Sequence, residues 1–225
     1  MKEYSIFDIL GPVMIGPSSS HTAGAARLGR IAKEIAGDDF DKVTFYLHGS
    51  FAKTYKGHGT DKALVAGILG MEPSDDRIKH SFEIAKKNGI EVAFVEADLG
   101  YVHPNTAKIV FHRKNDVDFY ITGSAIGGGS IIITNIDGNK VEFSGDLPTL
   151  LLKYIDKKGT ISKVSTVLSK EGINIATMKV TREGKGKVAT MILEADNKID
   201  NSIIEKLKTV EDIIYIKTIN PISKR

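Results

Sequence analysis

Residues 150–219 alternate short strand and helix patterns in an order that narrows the fold sharply. Leu150-Leu151-Leu152-Lys153-Tyr154-Ile155 reads as a strand, and Asp156-Lys157-Lys158-Gly159 as a tight connection. A helix follows over Thr160–Lys170, with Ile161, Val164 and Leu168 on one face and Gly172 closing it. Ile173–Thr181 and Lys187–Ala195 read as strands joined by a hairpin at Glu183-Gly184-Lys185-Gly186. Asp200 or Asn201 caps a last helix carrying Ile203 and Leu207, and Ile213–Ile219 is the closing strand. Strand, helix, strand, strand, helix, strand within about 70 residues is the split-βαβ, ferredoxin-like order. By itself that order says little about function.

The composition shifts near Ser144-Gly145-Asp146-Leu147-Pro148, which sets an expected domain boundary: 1–146 before it, 147–225 after. The first part is glycine-rich and mixed in pattern, so the chain as a whole is expected to be α+β. A helix is expected from about Ser20 to Ala36, with Ala25, Leu28, Ala32 and Ile35 near helical spacing. A strand over Lys42–Leu47 and a Gly- and His-rich segment follow, then helices near Thr60–Leu69 and Asp75–Asn88. Val92–Val95, Lys108–His112, Phe119–Thr122, Ile131–Thr134 and Lys140–Phe143 read as strands, with Asp137-Gly138 as a hairpin turn.

Several classes are disfavoured. The net charge is +3 with scattered lysines, and the tail Ser223-Lys224-Arg225 is too short for a basic arm, so nothing argues for nucleic acid. No apolar run approaches the ~20 residues of a membrane span. Met1–Asp8 holds an early acidic pair and no long apolar core, so it does not read as a secretory signal, and the cytoplasm is the expected location. The chain has no cysteine, which excludes disulfides, thiol catalysis and any cysteine-held cluster on this chain alone.

The residues with the most chemistry lie near the start. Gly16-Pro17-Ser18-Ser19-Ser20-His21-Thr22 sets four hydroxyls and an imidazole at the expected mouth of a helix. The first amides of a helix lack intrahelical partners and favour negative charge, so this run suits a carboxylate or phosphate. One serine would suffice as a plain N-cap. A second cluster is His48-Gly49-Ser50, followed by Lys56-Gly57-His58-Gly59-Thr60-Asp61-Lys62. His58 between two glycines is open to close approach, and Asp61 either orients the imidazole or caps the next helix. The plainer reading is a turn with Thr60 or Asp61 as N-cap. His103-Pro104-Asn105-Thr106 puts His103 and Asn105 on a loop, as ligand contacts or a polar turn. Gly127-Gly128-Gly129 fits no phosphate-loop spacing. His21, His48, His58 and His103 match no zinc motif, so no metal site is assigned, and His80 and His112 read as structural.

Glu171-Gly172-Ile173-Asn174-Ile175-Ala176, with the turn into the preceding helix, resembles an ACT domain. That resemblance implies pairing of two copies and a small effector held near Asp156, Gly159 and Asn174. Many ACT domains serve assembly alone. Taken together, Ser5-Ile6-Phe7-Asp8-Ile9-Leu10-Gly11-Pro12, the Gly16–Thr22 run, Gly57–Lys62, His103–Thr106 and the ACT segment resemble the β chain of iron–sulfur L-serine dehydratases. The resemblance covers essentially the whole chain. It implies that the first domain is like the allosteric substrate-binding domain of some D-3-phosphoglycerate dehydrogenases. It also implies conversion of L-serine to pyruvate and ammonia, with a 4Fe–4S cluster held by cysteines of a partner α chain.

On that resemblance, Ser18, Ser19, Ser20, His21, Thr22, Asp61, His103 and Asn105 are expected to bind substrate and His58 to be catalytic. The family often has Tyr-Gly-Ser where this chain has His48-Gly49-Ser50, and the role of His48 stays open. The alternative reading is a non-catalytic module that senses serine or another anion.

Overall fold

The serine run does not open straight into an α-helix. In the computed structural model, which describes residues 13–113 and 116–220, Ser18 caps a π-helical turn over Ser19–Gly24. Helix α1 continues from it over Ala25–Ala36, burying Ala25, Leu28, Ala32 and Ile35. The segments 5–12 and 223–225 discussed above lie outside the described residues.

Strand β1 (Lys42–Leu47) is followed by a helix that the sequence pattern did not indicate, α2 (Gly49–His58). It buries only Phe51 and Ala52 and carries glycine at positions 49 and 57, so its amphipathic signal is weak. Gly59, in the left-handed region at φ +68°, ends α2 and starts α3 (Thr60–Ile68) without a loop between. His58 therefore closes one helix where another begins, rather than sitting in a Gly-His-Gly turn. The expected helix over Asp75–Asn88 is a 3₁₀ turn (Asp76–His80) leading into α4 (Ser81–Lys87).

The strands are β2 (Glu91–Glu96), β3 (Thr106–His112), β4 (Phe119–Gly127), β5 (Ser130–Ile136) and β6 (Asn139–Phe143). Within the first unit the strand order is β2-β1-β3-β4-β5, with β1 and β2 parallel and β1-β3, β3-β4 and β4-β5 antiparallel. Asp137 and Gly138 both have positive φ (49° and 84°), as a two-residue hairpin turn requires. Burial alternates across the sheet. Val43, Phe45, Leu47, Ala107, Ile109, Phe111 and Ile121 share the covered face, while Tyr46, Lys108, Val110 and Tyr120 stand on the more open one.

Helices α1 and α3 cross at van der Waals contact of their backbones. A methyl group at Gly67 would lie 2.3 Å from Ala26 O, and one at Gly29 would lie 2.5 Å from Leu64 O. α1 also rests on β4, where a methyl at Gly123 would meet Leu28 Cδ1 at 2.6 Å. These contacts set the first turns of α1 against the last turns of α3.

The chain divides into two compact units between Gly138 and Asn139. The second begins with β6 and holds β7 (Thr149–Ile155), α5 (Thr160–Lys170), β8 (Ile175–Arg182), β9 (Val188–Ala195), α6 (Asn201–Lys208) and β10 (Ile213–Ile219). Its sheet order β10-β7-β9-β8 is antiparallel throughout, with both helices' apolar residues in one core with Leu150, Leu152, Tyr154, Met191 and Leu193. This is the split-βαβ arrangement, and the chain is α+β.

Candidate functional site

Ser18 anchors the site from its rim. Its Oγ accepts from His21 N at 3.2 Å and lies 3.3 Å from His21 Nδ1. The other ring nitrogen, Nε2, lies 3.2 Å from Ser50 Oγ, in the first turn of α2. A neutral imidazole has one donor and one acceptor nitrogen, and a hydroxyl serves either, so the two serines hold the ring whichever tautomer it takes. Phe51 packs edge-on to the same ring, centroids 5.3 Å apart.

His58, at the end of α2, faces His21 with ring centroids 4.8 Å apart and a 40° tilt. Burial holds the His21 imidazole below its ordinary pKa, and the neighbouring His58 lowers it further. His58 Nδ1 is buried and has no hydrogen-bond partner among the described residues. Neither has Thr22 Oγ1, on a residue 2% exposed. Both residues line a pocket of about 290 Å³, with Gly16 and Pro17 on one wall and Ile78 on another.

Asp61 does not orient His58. Its Oδ1 accepts from Lys62 N at 2.7 Å, and burial pushes its carboxyl above the ordinary value against that bond. Nor does its side chain cap a helix; α3 starts at Gly59 with no side-chain cap.

Asn105 reaches the other edge. Its carbonyl accepts from Ala125 N at 3.0 Å, and Ala125 packs on Gly24 in the π turn, where a methyl would come within 2.7 Å of Ala125 Cβ. Asn105 Oδ1 is a third buried polar atom without a partner. His103 is exposed, and its Nδ1 accepts from Asn105 N at 3.1 Å, which shapes the loop. His48 accepts at Nδ1 from Leu99 N at 3.1 Å and so pins the segment leading to that loop. The glycine run 127–129 forms the β4-β5 turn, where Arg27 donates to Gly129 O at 2.8 Å.

Ser18, His21, Thr22 and His58 thus converge, with Ser19 and Ser20 half-buried in the same turn. Ser50 is the partner that spacing alone did not single out. Its signal was its place at the start of a helix in the His48-Gly49-Ser50 run. Among the described residues, no group of three or more His, Cys, Asp or Glu could hold a metal ion.

In the second unit, Gly159 (φ +91°) precedes α5 and Asn174 follows it, so they lie at opposite ends of a helix about 16 Å long. Asp156 accepts from Arg182 at 3.2 Å, and Asn174 Nδ2 donates to Asp196 Oδ2 at 2.5 Å. One copy of the chain does not bring Asn174 to the Asp156–Gly159 loop.

The sequence matches the family described as "Serine dehydratase beta chain" over residues 5–127 and that described as "ACT domain" over residues 149–212. It is 46% identical over 212 residues to the "L-serine dehydratase, beta chain" of Peptoniphilus asaccharolyticus, covering 94% of this chain and 96% of that one. It is 46% identical over 220 residues to the "Probable L-serine dehydratase, beta chain" of Bacillus subtilis, covering 97% and 99%. A more distant relative is the "D-3-phosphoglycerate dehydrogenase" of Methanocaldococcus jannaschii, 28% identical over 87% of this chain and 37% of that one. With its C-terminal ACT domain, the chain belongs to the serine dehydratase β-chain family.

Proposed function

We propose that this chain is the β subunit of an iron–sulfur L-serine dehydratase, an L-serine ammonia-lyase that yields pyruvate and ammonia with an α partner. Residues 1–146 form its serine dehydratase β domain and 147–225 its ACT domain. The observation that carries this reading is the His21–His58 pair set against buried, partnerless Thr22 Oγ1 and His58 Nδ1, within a chain of this family.

Serine dehydration requires loss of the α-proton and of the β-hydroxyl. A carboxylate of the substrate is held by the hydroxyls of Ser18, Ser19, Ser20 and Thr22 at the π turn, with His21 fixed beside them. Asn105 and, further out, His103 and Asp61 complete the substrate-binding rim. His58 does acid–base work through Nδ1, the ring nitrogen left without a partner among the described residues. Its neighbour His21 is disposed to stay neutral, so the site does not begin with two imidazolium rings.

A 4Fe–4S cluster does not fit this chain's donors. The chain has no cysteine, and the described residues offer no metal-holding group. In this reading the cluster sits on the α chain, and the steps above are those of the β chain's own residues. No described helix is long and apolar enough to cross a membrane, in keeping with a proposed cytoplasmic location. The ACT domain is proposed to pair with a second copy, with Asp156 and Gly159 of one meeting Asn174 of the other around an effector.

The test is co-expression with a cysteine-rich α chain and an anaerobic assay of pyruvate from serine. Activity is expected only in the assembled pair. His58→Ala is expected to lower turnover by at least about a hundredfold with the cluster content unchanged. Near-normal turnover in that variant removes His58 from the chemistry. Serine binding with no activity in the assembled pair favours a sensor. For the ACT domain, serine binding equal in wild type and Asn174→Ala removes Asn174 from an effector site.

A further inference from the structure

The side chain of His48 stands outside the His21–His58 pair, yet it holds a segment of the same rim. A backbone N–H can only donate, so the bond from Leu99 N at 3.1 Å requires a bare Nδ1 and leaves the ring proton on Nε2. Segment 97–105 is tied down through backbone at both ends. Ala97 N donates to Leu47 O at 2.8 Å, Phe51 N to Pro104 O at 3.4 Å and His48 N to Thr106 O at 3.0 Å. Between those ends residues 98–102 fold back on themselves, with Gly100 N donating to Asp98 Oδ1 at 2.9 Å and Val102 N to Gly100 O at 2.9 Å. Among the described hydrogen bonds, the one from Leu99 N to His48 is what joins this middle stretch to the rest of the unit. The segment ends in His103 and Asn105, and it beds on the start of α2: a methyl at Gly49 would lie 2.7 Å from Pro104 O. Ser50, the next residue, is the one that holds His21.

A proton on Nδ1 reverses this arrangement. The ring then presents a donor to the Leu99 N–H, itself a donor, and the bond is lost. Asp98 Oδ1, 3.6 Å from Nδ1, becomes the acceptor within reach, in competition with the Gly100 N–H that it now holds. One proton therefore opens the latch and contests the bond that shapes the turn beside it. Asp98 is the charged group that reaches this ring among the described ion pairs. Glu96 at the end of β2, Lys53 on α2, Lys108 on β3 and His103 in the segment are the further titratable groups on the elements around it. We propose that His48 is a positioning residue of the serine site: its bare Nδ1 latches segment 97–105 and so sets Asn105 at the rim, and protonation of that nitrogen releases the segment and weakens serine binding. The part that concerns serine rests on the function proposed above; the latch itself does not.

Two variants separate the acceptor from the proton. His48→Ala removes the acceptor; His48→Asn puts a non-titrating oxygen where Nδ1 stands. Amide exchange of Leu99 is followed in the full chain, as protection relative to an unstructured peptide, from about pH 8 to about pH 5, the interval in which imidazoles take up a proton. Protection is expected to fall about tenfold or more in His48→Ala at every pH. In the wild type it is expected to fall on the acid side only, and in His48→Asn to stay level. In the assembled α–β enzyme His48→Ala is expected to raise the KM for serine about threefold to tenfold, with kcat within about twofold. His48→Asn is expected to restore the KM and to remove the part of its acid-side rise that belongs to His48, while His21, His58 and His103 remain in place. Leu99 protection that is equal in wild type and His48→Ala overturns the proposal. So does an acid-side loss of protection as steep in His48→Asn as in the wild type, the comparison that decides should His48→Ala not fold. A fall in kcat at unchanged KM overturns the role at the rim. An assembled pair that never dehydrates serine overturns the dehydratase reading alone, and Leu99 protection still decides the latch.

Discussion

His21 Nε2 lies 3.2 Å from Ser50 Oγ, and that contact joins the first turn of α2 to the π turn 29 residues earlier. With Ser18 on the opposite nitrogen, it fixes the ring that His58 packs against. Ser50→Ala removes one of the two clamps, and one such hydrogen bond is worth about 0.5–1.5 kcal/mol. The expected result is a fall of about threefold to tenfold in kcat of the assembled enzyme, with the KM for serine little changed. Ser50→Thr, which keeps the hydroxyl, is expected to restore most of the loss. An unchanged kcat in Ser50→Ala leaves the contact without a role in positioning.

The lowered pKa of His21 has a consequence for stability. In the native state this ring binds its proton less readily than in the unfolded chain, where the value is near 6.5. Above that pH both states are neutral and nothing is lost. As the pH falls through 6.5 toward the lowered folded value, the unfolded state takes up the proton first and the fold weakens. Thermal unfolding between pH 8 and 5 is expected to show Tm falling on the acid side, and His21→Gln is expected to flatten that fall.

Gly67→Ala puts a methyl 2.3 Å from Ala26 O, where backbone and not a mobile side chain must yield. Overpacking of this kind costs about 1–3 kcal/mol. For a chain of this size that is a drop of roughly 2–12 °C in Tm. The loss of turnover is expected to follow the loss of folded protein, because the crossing lies at the end of α3 away from His58. A variant with wild-type Tm and kcat shows that the helices separate freely at this point.

Tyr154 carries a hydroxyl that is buried with no partner in the core of the second unit. Burial, aided by the charge of Asp156, pushes its pKa above the ordinary value. Tyr154→Phe removes a polar atom that the core does not satisfy. It is expected to raise stability by up to about 1 kcal/mol, read from chemical denaturation of the full chain. Destabilisation by a similar amount points instead to a bound group that the hydroxyl serves.

Much of the second unit was legible from its residues. Helix α5 has the expected ends, Thr160 and Lys170, because its apolar spacing and Gly172 agree. β10 has its expected ends as well. The Asp137-Gly138 turn was readable because few dipeptides adopt two successive positive φ values. In the first unit the reading stopped where burial is slight. Helix α2 packs through two residues and takes glycine at both ends, so periodicity had little to register. Ser18, His21 and His58 were visible as reactive types in suggestive runs. Their meeting was not, because His21 and His58 lie 37 residues apart in runs with no shared periodicity and touch only in the folded chain. Ser50 is likewise a residue whose significance comes from a three-dimensional neighbour, His21.

The π-helical turn at Ser19–Gly24 has a consequence for how tightly this site is tied to chain length. Each residue of an α-helix advances the side-chain direction by about 100°. The wider i→i+5 winding lets the turn carry one more residue than an α-helical path would need. Deleting a single residue there would let the winding relax to α while the ends of the path keep their places, and the side chains inside the turn would change their directions. The imidazole of His21 lies within that turn, so its aim at Ser50 and His58 is tied to the residue count of Ser19–Gly24, whereas the helix behind it would remain intact.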